Sequence, residues 1–180
     1  MTLHVDGRPL CIPGPGRYAL VNVAADDTDA LLRAARAQAG IEHTGWIPDD
    51  DGLLENLKLW ENILLATQWH APASPAALAA RLQGWLSRLG YREEAAGDWL
   101  AQSPGNLSQQ ERRLACWLGM LLLRPRVLLL ERGAWSAVRA DGNLRALVDE
   151  ELSGCALLAI DPVAPEDFTA LIADVEAAIP

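Results

Sequence analysis

Two short aliphatic runs, "RVLLL" (126–130) and "CALLAI" (155–160), constrain this chain most. A strand with one wet face alternates apolar and polar residues. These runs do not alternate, which is the pattern of strands buried in a parallel sheet. Between them "NLRALVDEEL" (143–152) reads as a helix, and strand–helix–strand is the unit that joins parallel strands. A third strand is expected at "RYALVNV" (17–23), bounded upstream by "PGPG" (13–16). A helix follows from Ala30 to Ala39 and stops at Gly40. "HTGWIP" (43–48) is a short strand ending at Pro48, and "DDDG" (49–52) is a turn.

The middle of the chain reads differently. Residues 53–103 form a helical stretch broken by Pro, Ala and Ser at 71–76. Leu78, Leu82, Trp85, Leu86 and Leu89 recur at spacings of three and four, as one helix face requires. After the loop "SPGN" (103–106) a helix is expected over Gln109–Leu123, and a last one over "PEDFTALIADVEAA" (165–178). The expected fold class is therefore α/β, a parallel sheet flanked by helices with an inserted helical subdomain. The expected organisation is one domain, 1–180, with 1–52 and 104–180 as the α/β core and 53–103 as the helical subdomain.

The chain has 180 residues, 51% of them hydrophobic, which is enough for a real core. A net charge of -9 leaves no basic patch to release counterions, so nucleic acid is not an expected partner. Cys11, Cys116 and Cys155 have no metal-ligand or redox spacing and read as reduced thiols of a cytosolic protein. No export signal is visible. The most apolar stretch, "LACWLGMLLLRPRVLLLE", is interrupted by Arg124, Pro125 and Arg126. A span needs about 20 apolar residues, so direct membrane insertion is not expected.

The segments "LSQQERRLACWLGMLLLRPRVLLLE" (107–131), "LKLWENILLA" (57–66) and "ALVNVAADDTDALLRAA" (19–35), in their order and spacing, resemble the ATP-binding subunits of ABC transporters. "LSQQERRLACWLGMLLLRPRVLLLE" (107–131) resembles the family's signature helix, its R-P pair and the Walker B strand, without a gap. "LKLWENILLA" (57–66) is similar to the T-V-x-E-N-I stretch after the Q-loop, and "LSRLGY" to the segment before the signature. "LWENILLATQWH" also looks like the MCE/Mla lipid-transport type. "ALVNVAADDTDALLRAA" lies over the Walker A strand, phosphate loop and helix, again without a gap. The resemblance implies a P-loop NTPase-like ABC ATPase fold in shortened form.

At each chemical position the residue differs from what the resemblance requires. A phosphate loop uses glycine N–H groups, a lysine and a Mg²⁺-binding hydroxyl. Here Asn22, Ala25 and Asp27 stand at the glycines, Thr28 at the lysine and Asp29 at the hydroxyl. Two like charges about 4 Å apart repel by about 4 kcal/mol at an effective dielectric near 20. That alone weakens ATP binding on the order of a thousandfold. Asp26, Asp27, Thr28 and Asp29 read instead as caps and first-turn acids of the helix. The Q-loop glutamine falls near Asp49. The signature Leu107 and Ser108 remain, but Gln109, Gln110 and Glu111 replace its two glycines and glutamine. Ser108 with Glu111 three residues on is the pattern of a capping box.

Glu131 stands at the Walker B aspartate and Arg132 at the catalytic glutamate, where arginine cannot accept a proton. "GAWSAV" (133–138) lacks the D-loop aspartate, and Asp161 and Pro162 stand where the switch histidine should follow the strand. His4, His43 and His70 form no cluster in the sequence, and the adenine-stacking aromatic falls near Leu3 or His4.

The expectation is a catalytically inactive ABC-ATPase-like subunit or regulator, a pseudoenzyme in transport with no cofactor and no metal. Its partners would be an ABC ATPase, a membrane permease, or both. Its place would be the cytoplasm, at the inner face of the membrane through the permease. Trp60, Trp69, Trp85 and Trp99 lie in the helical region, which in the family contacts the permease, although most of them read first as core residues. The alternative is a divergent ATPase subunit that still binds or slowly hydrolyses ATP with Mg²⁺. A second alternative is a scaffold or regulator unrelated to transport.

Overall fold

The computed structural model describes residues 1–5, 8–21, 28–70, 74–161 and 163–171. Asn22, Ala25, Asp26, Asp27 and Pro162, singled out above, lie outside the described residues. In chain order the elements are β1 (Thr2–Val5), β2 (Arg8–Cys11), β3 (Gly16–Leu20), α1 (Thr28–Ala39) and β4 (Thr44–Ile47). Next come α2 (Leu59–His70), α3 (Pro75–Arg88), α4 (Glu93–Leu100) and α5 (Gln109–Leu123). The chain continues with β5 (Val127–Leu130), α6 (Ser136–Ala140), α7 (Gly142–Glu151), β6 (Ala156–Ile160) and β7 (Thr169–Leu171).

These elements fall into two compact units, one of 1–49, 125–133 and 153–180, the other of 50–124 and 134–152. The grouping differs from the expected core and subdomain, because α5, α6 and α7 gather with the helical insertion.

The first unit holds a five-stranded sheet in the order β4-β5-β6-β3-β7, every neighbouring pair parallel. All four residues of β5 and all five of β6 are buried, as expected from aliphatic runs without alternation. The pleat sends Val127, Leu129, Ala156, Leu158, Ile160, Tyr18 and Leu20 into one cluster with Leu31, Leu32 and Ala35 of α1. The antiparallel hairpin β1–β2 adds Leu3, Leu10 and Ile12 to that cluster.

The expected helix over 165–178 is corrected in its described part. Pro165 and Phe168 close a turn (Phe168 N–H to Pro165 O, 2.9 Å), and 169–171 then pair with the open edge of β3. The helical periodicity of the segment loses to burial of Phe168 and to the unpaired edge that β3 offers.

In the second unit the expected helix over 53–103 is also corrected. Residues 53–58 are not helical, because Asn62 ties them down. Its carboxamide accepts from Leu54 N–H (2.8 Å) and donates to Leu54 O and Lys58 O (each 3.1 Å). Ser74 caps α3 through Ala77 N–H (3.2 Å) with Pro75 in the first turn. The helix ends at Arg88, Gly90 takes φ +89°, and α4 starts afresh. The helix over Gln109–Leu123 is found at the expected bounds. It ends on Arg124 in the left-handed region (φ 52°), which pairs with Glu151, and Pro125 follows. Trp85, Trp99, Trp117 and Trp135 are buried, Trp60 and Trp69 exposed. Among the described residues no helix is long and apolar enough to cross a membrane.

Helices α2 and α5 meet at Gly119, where an added Cβ would lie 3.3 Å from Ile63 O. A backbone oxygen cannot step aside as a side chain can. Gly119→Val should therefore lower stability by about 1–3 kcal/mol in urea unfolding, with little change in the slope. A loss under about 0.5 kcal/mol would show that the two helices are not in close contact there.

Candidate functional site

The site begins where β5 ends. The backbone N–H of Glu131 donates to Ile47 O (3.0 Å), carrying the β4–β5 ladder one residue past β5. Glu131 is half-buried and both its carboxylate oxygens are engaged. Oε1 accepts the indole N–H of Trp46 (3.2 Å), and Oε2 accepts the backbone N–H of Asp49 (2.9 Å). Of the residues singled out in the sequence, Asp49 and Glu131 are thus brought together, but through the main chain of one and the side chain of the other. The Asp49 carboxylate is not the group that meets Glu131. Arg132 is exposed, and Gly133 takes φ +81° as the chain leaves for α6.

Four further positions lie in the same unit. Thr28 opens α1 and is buried at 7% exposure, while Asp29 sits exposed in the first turn, where a carboxylate favours the helix dipole. At the end of β6, Asp161 Oδ1 accepts Val163 N–H (3.0 Å), a local turn bond. Leu3 is fully buried in the hairpin cluster, so it has no face to offer an adenine ring.

In the helical unit Leu107 precedes α5 and Ser108 caps it. Ser108 Oγ accepts Glu111 N–H (3.3 Å), and Glu111 Oε2 accepts Ser108 N–H (2.8 Å) and the Ser108 hydroxyl (2.6 Å). The capping box expected from sequence is complete. Gln109 and Gln110 are exposed.

Asp51 is the residue that sequence reasoning missed. The "DDDG" turn reads as a surface acidic turn, yet Asp51 is 8% exposed and takes φ 67°. Its carboxylate receives Arg112 in bidentate form, Nε to Oδ2 at 2.7 Å and Nη2 to Oδ1 at 2.9 Å. Arg112 Nη1 also reaches Glu55 Oε1 (2.7 Å), and these two carboxylates hold the guanidinium even more firmly protonated than usual. Cys116 donates its thiol hydrogen to Asp51 O (2.9 Å). Burial first, and the Asp51 charge second, push that thiol up to about 12. Burial alone also pushes Cys155 up to about 12.

A shallow groove of about 410 Å³ runs between α2, α3 and α4, with Leu64, Leu82 and Leu86 in its lining and Trp60 at its side. Gln83 donates to Glu93 (3.2 Å) at its polar rim. Among the described residues no group of three or more His, Cys, Asp or Glu is placed to hold a metal ion.

Removing Arg112 would leave a buried carboxylate uncompensated. Arg112→Ala should cost about 3 kcal/mol in chemical unfolding, and Asp51→Asn with Arg112→Ala should cost less than the sum of the two. Simple additivity would contradict the pairing. The thiols give a second test. Both raised groups stay protonated in the folded chain while the unfolded chain releases protons from about pH 8.5. Stability should fall as pH rises from about 9 towards about 12. At pH 8 a thiol reagent should find Cys11 fast, since it is exposed, and Cys116 and Cys155 only after denaturation.

No protein-family model and no curated protein matches the sequence. Among solved structures the chain is similar to an ATP binding subunit of an ABC transporter, with a TM-score of 0.65 and 17% identity. That alignment covers 86% of this chain and 71% of the other. It is similar to dimeric MJ0796, a bacterial ABC transporter cassette, with a TM-score of 0.65, 12% identity and coverage of 92% and 84%. A bacterial Atm1-family ABC exporter with ATP bound matches at a TM-score of 0.65 and 17% identity, covering 93% of this chain and 33% of the exporter. At such identities the likeness is one of fold, and the chain has the α/β fold of ABC-transporter ATP-binding cassettes.

Proposed function

We propose that this chain is a catalytically inactive ABC-ATPase-like subunit or regulator that acts through contacts with an ABC ATPase, a permease, or both. The observation that carries the reading is Glu131. On the overlay it stands at the magnesium-binding aspartate, and each of its oxygens accepts a hydrogen bond from its own chain, from the Trp46 indole and the Asp49 main chain. Its neighbour Arg132 has no proton acceptor with which to polarise a water.

Thr28 replaces the phosphate-binding lysine, and Asp29 adds negative charge at the helix end. As a donor set these side chains do not fit a magnesium-bound nucleotide. The fold and the groove beside Trp60 remain as the means of engaging a partner. The stretch "LWENILLATQWH" favours a partner of the MCE/Mla lipid-transport type, with the chain at the cytoplasmic face of the membrane.

Affinity capture of the tagged chain from its native cells tests the reading. A permease or ABC ATPase should come with it, retained when EDTA removes Mg²⁺, and the purified chain should release phosphate from ATP no faster than the buffer. Steady turnover by the purified chain would overturn the inactive reading. Capture of unrelated proteins alone would overturn the transporter reading.

A further inference from the structure

We infer that Glu131 is a positioning residue that holds the 46–49 segment in one conformation without any ligand. The clasp has three points within one residue: backbone N–H to Ile47 O, Oε1 to the Trp46 indole and Oε2 to Asp49 N–H. Hydrogen bonds to an ionised acceptor are stronger than neutral ones. The indole has a single donor, so this bond uses all of its capacity. Trp46 stays 37% exposed on β4, at the edge of the sheet, and Asp49 is exposed beside it. Glu131 therefore fixes an exposed indole and the main chain of Asp49 together.

An acceptor attached to the chain does not dissociate. A conformation held by it does not depend on the concentration of a nucleotide or a metal.

Amide exchange at Asp49, followed by NMR with the Trp46 indole resonance assigned through Trp46→Phe, tests the inference. In the wild-type chain Asp49 should exchange slowly without nucleotide, and millimolar Mg-ATP should leave its rate and the Trp46 resonance unchanged. Glu131→Ala should speed Asp49 exchange by at least about tenfold and move the Trp46 resonance, while amides of β6 keep their rates. Trp46→Phe should leave Asp49 slow, because Oε2 still holds it. If Glu131→Ala does not fold, Glu131→Gln carries the test: one neutral acceptor oxygen remains to serve two donors, and Asp49 should exchange faster than in the wild type.

Unchanged Asp49 exchange in Glu131→Ala, or in Glu131→Gln where only that variant folds, would overturn the inference. So would exchange that is fast in the wild type until Mg-ATP is added. A separate titration with a fluorescent ATP analogue keeps the two ideas apart. Saturable binding that leaves Asp49 slow would defeat the reading that these side chains do not hold a nucleotide and leave the clasp standing.

Discussion

The strand Val127–Leu130 is the constraint on which the first unit depends. It pairs with β4 on one side and β6 on the other, and none of its four side chains reaches water. A register slip by one residue would exchange its two faces and break the Val127–Leu129 contact with the α1 cluster. That register also fixes where Glu131 emerges. Placed one residue past the strand and level with the end of β4, its carboxylate can meet both Trp46 and the main chain of Asp49. The chemistry at the strand end is thus a consequence of sheet pairing.

What could be read from the sequence is what local physics decides. The aliphatic runs specify buried strands, and the Ser108–Glu111 spacing specifies the start of α5, which runs over Gln109–Leu123 as expected. What could not be read depends on partners distant along the chain. Arg112 meets Asp51 across 61 residues, and nothing in "DDDG" distinguishes a buried ligand of arginine from a solvated turn. Strand 169–171 exists because β3 leaves an edge unpaired, a fact absent from its own three residues. Residues 53–58 resist helix formation because Asn62 binds their main chain. The hairpin β1–β2 had a legible signal, the Asp6-Gly7 pair between two short segments, and it went unread.

The candidate site divides in the same way. The identities of Glu131 and Arg132 are visible in sequence and argue against hydrolysis there. That Glu131 serves its own chain is visible only in three dimensions. On the proposed reading, positions that would hold a magnesium ion or a phosphate are instead turned to local stabilisation: Ser108 to a cap, Asp29 to a helix end, Glu131 to a clasp. Each of these contacts lies within the chain, so on that reading the fold needs no nucleotide to hold them.

The measurement closest to the central claim is a calorimetric titration of the purified chain with Mg-ATP. The account requires no saturable heat at micromolar or submillimolar nucleotide. A micromolar dissociation constant with one site per chain would contradict it, since that affinity needs about 8 kcal/mol of favourable contacts that Thr28, Asp29 and Glu131 do not offer.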